Sequence, residues 1–145
     1  ESVKAFLQHV GEKDIITSYV TNREARPLKR RLISTLFTTM LNLLFGLKLK
    51  YYLGMVCYET SLARQAKITT NSYAFQAEIL IRLLHRHCSY EEISFGIDKA
   101  PKPTSKMFRA KNILGVTALI PKLFVEVWLE GLSRNIKRLL SRGRR

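Results

Sequence analysis

The sequence predicts an α/β fold built on a mixed sheet. Short β-branched and aromatic runs such as "IITSYV" and "EEISF" alternate with longer segments of helical period. Glycine and proline punctuate the joins. At 145 residues, 46% of them hydrophobic, the chain is the size of one domain and can bury a continuous core.

"ESVKAFLQHV" reads as a helix with Val3, Phe6, Leu7 and Val10 inward, stopped by Gly11. A strand follows from Asp14 to about Val20, then the loop "TNREARP", whose Pro27 opens a helix running from Leu28 to about Leu47. Leu32 to Leu47 carries no charge. Sixteen residues rise only about 24 Å, short of the roughly 30 Å of a bilayer's hydrocarbon core, so this segment does not span a membrane. Five of the sixteen are Ser, Thr or Asn, which argues the same way. Its stripe Ile33, Leu36, Phe37, Met40, Leu44 and Leu47 suits a core helix and a helix lying in a membrane interface equally well.

"KYYLGMVCYET" carries a strand from about Met55 to Tyr58, with Gly54 permitting a bend or the close approach of another backbone. Ser72 to Arg86 forms the next helix, with Ser72 as its cap and Ala77, Leu80, Ile81 and Leu84 as its apolar stripe. On the other face Glu78 and Arg82 form an exposed pair four apart, worth roughly 0.2 to 0.5 kcal/mol. "SYEEISFGI" is a strand with Ile93, Phe95 and Ile97 on one face, and "DKAPKPTSK" an exposed, mobile loop. From Lys106 to about Leu140 the chain is helical, kinked near Pro121, with Phe124, Val127, Trp128 and Leu132 on its apolar side. Trp128 in a basic amphipathic helix favours a membrane interface, while core packing is the commoner fate of a tryptophan. Residues 1–111 form the body and 112–145 a basic helical tail at the membrane surface.

The formal charge is +14, from 25 Lys and Arg against 11 Asp and Glu, which calls for polyanionic company. "REARPLKRR" has five basic residues and one acid, and Arg134 to Arg145 has six and none. Nucleic acid is a poor candidate partner, because no reading motif is present and the basic blocks bracket apolar helices. An anionic membrane surface fits better. A module that binds such a surface, or nucleic acid, without catalysis is the alternative to the enzyme described next. Cys57 and Cys88 read as reduced, buried thiols of a cytosolic protein, and His85 and His87 beside Cys88 do not make a metal pattern.

In order and separation, "LKRRLIS", "SYAFQAEIL" and "TSK" resemble family 2 glycosyltransferases, more narrowly their dolichyl-phosphate mannosyltransferase-like, polyprenyl-phosphate branch. The resemblance runs from about Glu12 to Lys111. It implies a GT-A fold, of which this chain is the C-terminal, acceptor-side part, and transfer of a sugar from a nucleotide-sugar donor to a lipid phosphate on the cytoplasmic, inner face of a membrane. It implies that Arg30 and Ser34, with Arg26, meet the acceptor phosphate, and that Arg31 and Lys29 widen a basic mouth. A guanidinium fork suits phosphate oxygens, and a hydroxyl adds a donor. By the same resemblance Gln76 and Glu78 orient the pocket, while Lys102, Ser105 and Lys106 form a basic loop over phosphates. The chain departs from the family pattern at Tyr19, where an Arg is usual, at "KYYLGM", and at Ala100 and Pro103, with Lys99 or Lys102 standing in for a lost Arg. Such enzymes hold Mg or Mn between paired carboxylates. Here the only aspartates are Asp14 and Asp98, so no metal ligands are expected in this chain. The donor half is expected upstream of Glu1, and the chain alone is expected to be inactive.

Overall fold

The computed structural model describes residues 2–71, 74–96 and 110–142. The elements run α1 (Ser2–Gln8), β1 (Ile15–Val20), a 3-10 turn (Arg23–Ala25), α2 (Leu28–Phe45), β2 (Val56–Tyr58), α3 (Thr60–Gln65), α4 (Phe75–Leu84), β3 (Tyr90–Phe95) and α5 (Ala110–Arg142). The fold is mixed α/β with a small three-stranded mixed sheet in the order β2-β1-β3. β1 pairs antiparallel with β2, Ile15 opposite Tyr58, and parallel with β3, Ile15 opposite Tyr90 and Val20 opposite Phe95. As the central strand, β1 buries both its apolar and its hydroxyl residues, from Ile15 through Ser18.

Pro27 caps α2 at its start, and Gly46 ends it in a left-handed conformation (φ 63°) that glycine adopts without strain. Gly54 answers a different demand. A Cβ there would lie 2.1 Å from the Ser18 carbonyl oxygen, so the 49–55 crossing can pass over β1 only with a bare Cα. The close backbone approach expected at this position is what the fold uses.

The core gathers Leu41 and Phe45 of α2, Leu49 and Tyr52 of the crossing, the apolar residues of α4, and Leu119, Leu123 and Val127 of α5. The boundary drawn between residues 111 and 112 thus falls inside α5, a helix that contributes to that core. Pro121 lies within it. Ser72, Ile97, Ala100, Pro103 and the basic loop with Lys99, Lys102, Ser105 and Lys106 lie outside the described residues.

Two corrections follow from packing. α4 does not expose one face: Ala77 to Leu84 are all buried, the 69–70 segment meeting Glu78 and Glu126 of α5 meeting Arg82 on the side that the sequence assigns to solvent. The Glu78–Arg82 pair is therefore internal. Of the stripe read as suiting a core or a membrane interface, Phe37, Met40, Leu44 and Leu47 pack partly buried against the core, while Ile33 and Leu36 are 37% and 71% exposed, because the inward face of α2 centres on Thr38, Leu41 and Phe45. The cysteines are free but only half-buried. Among the described residues no helix is long and apolar enough to cross a membrane.

Candidate functional site

Ser34, Thr35, Thr38, Thr39 and Asn42 are the five polar residues of the uncharged stretch of α2, and all five line one cavity of about 240 Å³. With Arg31 ahead of them they recur at helical spacing, so they form one polar stripe. Facing it are Val20, Arg23 and Arg26 from the end of β1 and the turn after it, and Leu49, Lys50 and Tyr51 from the crossing. Four cations line the space and no carboxylate does. Among the described residues none of the four has a carboxylate at ion-pair distance.

The walls are tied in place. Asn42 donates to the Leu49 carbonyl at 2.8 Å and accepts from the Leu49 N–H at 3.1 Å and from the Tyr52 hydroxyl at 2.8 Å. Burial, then the nearby Glu92 and Tyr90, pushes the Tyr52 phenol far above its usual range, so it stays a donor. Arg26 donates to the Tyr51 hydroxyl at 3.2 Å, and its guanidinium carbon lies 5.4 Å from that ring's centre. The Lys50 ammonium sits 4.1 Å from the centre of the Tyr19 ring. The stretch after α2 thus sets a cation over the side chain of Tyr19. The Lys50 backbone N–H donates to Glu92 at 2.7 Å.

A second, shallower groove of about 390 Å³ opens beside the cavity and shares Arg23, Arg31, Thr35 and Thr39 with it. Its remaining walls are Leu28, Leu32 and Leu36, each more than 60% exposed.

Of the residues singled out in the sequence, Arg26, Arg31 and Ser34 line the cavity and Lys29 and Arg30 do not, so the α2 arginine at the cavity is Arg31, not Arg30. At about 100° per residue Arg30 falls well to one side of the stripe through Arg31, Thr38 and Asn42. Ser34 spends its hydroxyl proton on the Arg31 carbonyl at 3.0 Å, leaving its oxygen to accept. Gln76 and Glu78 do not line the cavity. Gln76 donates to the Gly54 carbonyl at 3.4 Å, which braces the crossing. Both Glu78 carboxylate oxygens are taken, by Thr69 N–H and hydroxyl, Thr70 N–H and Arg82. The signal for the cavity lies in the spacing of the Ser, Thr and Asn residues of α2, which the sequence reading uses only as an argument against a membrane span.

No carboxylate lines the basic cavity, so a hard divalent cation finds no ligand set there. The fold does bring His9, Glu12 and Glu91 together, with donor atoms within 4.8 Å of one another. This group, which the sequence does not foretell, is near the start of β1, and His9 Nδ1 lies 3.1 Å from a Glu12 carboxylate oxygen within it. His85 is engaged elsewhere. Burial lowers its pKa, and its Nε2 donates to the Phe45 carbonyl at 2.9 Å.

No family model, curated protein or solved structure matches the chain at a significant level.

Proposed function

We propose that the chain binds an amphiphile ending in a phosphate, with the phosphate among Arg23, Arg26, Arg31 and Lys50 and the hydrocarbon along Leu28, Leu32 and Leu36. One observation carries this reading: a cavity with four cations and no carboxylate shares four residues with a groove walled by leucines. Clustered cations repel one another when empty and are satisfied together by a phosphate, whose oxygens accept charge-assisted bonds from guanidinium forks. The Arg26–Tyr51 and Lys50–Tyr19 stacks hold two of the cations in advance, which lowers the ordering cost of binding.

We further propose that this ligand is the lipid-phosphate acceptor of a glycosyltransferase, as the likeness to the polyprenyl-phosphate branch of family 2 implies. In that reading the chain grips the acceptor, and the nucleotide sugar and its divalent cation are bound by other residues. The lack of carboxylates in the cavity agrees with such a division of labour. Titration calorimetry with decyl phosphate, decanol and inorganic phosphate tests the binding reading. Decyl phosphate should bind more tightly than either fragment. Equal binding of decanol removes the phosphate from the reading, and equal binding of inorganic phosphate removes the tail. Added nucleotide sugar and metal then test transfer, which is expected only once donor-binding residues are supplied.

A further inference from the structure

Among the described residues, the outward face of α5 is covered by nothing. The helix turns Leu119, Leu123 and Val127 into the core. Its two acids also point inward or sideways, with Glu126 bound to Arg82 and Glu130 near Arg82 and Arg86. At about 100° per residue, Val125, Trp128, Leu129, Leu132, Ile136 and Leu140 gather on the opposite side, where they are 48 to 68% exposed. The helix is thus apolar outward and carries its carboxylates against the protein, the reverse of a helix that ends its packing at the domain surface.

We propose that this stripe seats in the headgroup region of an anionic bilayer, with α5 lying in the membrane plane. Charge selects the occupant. A second copy of the chain would bring another +14 to the interface, whereas an anionic surface is drawn to it. The stripe overlaps in sequence the segment Arg134 to Arg145, which has six basic residues and no acid, so strong positive charge accompanies it along the chain. Trp128 stands mid-stripe, its ring 5.8 Å from that of Phe124, which in turn lies 6.0 Å from Phe45 in the core. A tryptophan anchored on one side and open on the other, with an N–H to offer, suits the boundary between acyl chains and water. From residue 125 to 140 the stripe extends about 22 Å, a length that lies along a membrane rather than through it. This inference rests on α5 alone and not on the phosphate cavity.

Trp128 is the chain's one tryptophan and therefore reports its own surroundings. The chain is titrated with vesicles of phosphatidylcholine and phosphatidylglycerol in equal parts, and with phosphatidylcholine alone. Emission should shift to the blue with the anionic vesicles and be quenched by lipids brominated high on their acyl chains, and residual binding should survive high salt. The double variant Leu129→Asp, Leu132→Asp should keep its far-UV circular dichroism and bind at least about tenfold more weakly. Unchanged emission at saturating vesicles overturns the proposal. So does equal binding by the double variant, which would mean attachment by charge alone. Sedimentation showing a dimer that the double variant abolishes, with no vesicle-induced shift, assigns the stripe to a second copy. Should the double variant unfold, quenching of the unaltered chain decides.

Discussion

Arg82 reaches one turn back along α4 to Glu78 with both Nε and Nη2, at 3.0 and 2.9 Å, and the two side chains are 4% and 0% exposed. Glu78 also accepts from the 69–70 segment, and Arg82 donates to Glu126 of α5, so one buried pair fastens three separate stretches of chain. Burial works against the Arg82 charge, but the hydrogen bonds to Glu126 and Glu78 outweigh it and its pKa is raised.

Because breaking such a pair strands a buried charge, Glu78→Gln and Arg82→Met should each lower stability by about 3 to 5 kcal/mol in urea denaturation. The double variant Glu78→Leu, Arg82→Leu should lose less than the sum of single replacements. Single losses within a few tenths of a kcal/mol would mean that the pair behaves as an exposed one.

Arg31 lines the basic cavity and Arg30 does not, which separates two adjacent residues of like charge. A charge-assisted bond to phosphate is worth roughly 1.5 to 3 kcal/mol, so Arg31→Ala should weaken decyl phosphate binding by about tenfold to a hundredfold. Arg30→Ala should produce only a small, salt-sensitive loss. Calorimetry at two salt concentrations checks it, and equal effects would return Arg30 to the site.

Gly54→Ala places its methyl against the Ser18 carbonyl and lies 2.8 Å from the Ser18 hydroxyl, which itself donates to Met55. The crossing must lift from β1, at a cost on the order of 1 to 3 kcal/mol. Thermal denaturation gives the loss. Because Lys50 and Tyr51 belong to the same crossing, phosphate affinity should fall with it.

Glu92 is held above the ordinary carboxylate value of 4.5, chiefly by burial, with the Lys50 N–H bond pulling the other way. The folded protein therefore keeps this proton at a pH where the unfolded chain has lost it. The stability it contributes is complete below pH 4.5 and is lost as the pH rises through the folded value. Glu92→Gln can still accept from Lys50 and has no charge to bury. Denaturation midpoints measured from pH 4 upward should show the unaltered chain falling relative to Glu92→Gln across that window, and parallel curves would contradict the shift.

What the sequence makes legible is local. The presence of β1 and β3 and the extent of α2 follow from short-range pattern, and the demand on Gly54 follows from a glycine in a β-rich run. α3 escapes notice because Thr60–Gln65 is too short to show a period. The polar face of α4 reads as solvent-exposed because its partners lie elsewhere in the chain, the 69–70 segment at Glu78 and, 44 positions beyond Arg82, Glu126 of α5. The cavity divides in the same way. Arg26 and Ser34 are recoverable from a family likeness, whereas Arg23, Lys50 and Tyr51 join them only through the fold.

On the proposed binding of an alkyl phosphate, the leucines beside the basic cavity also make α2 a ruler. Leu36 borders the residues shared with the cavity, and Leu28 is the first residue of the helix, about 12 Å away along the axis. A ligand held by its phosphate is measured against that fixed length. Each carbon added to its tail meets leucine until the tail has passed the three side chains, and carbons beyond that point go uncounted. A series of alkyl phosphates of increasing length should gain affinity stepwise and then level off, at a length set by the span of the three leucines.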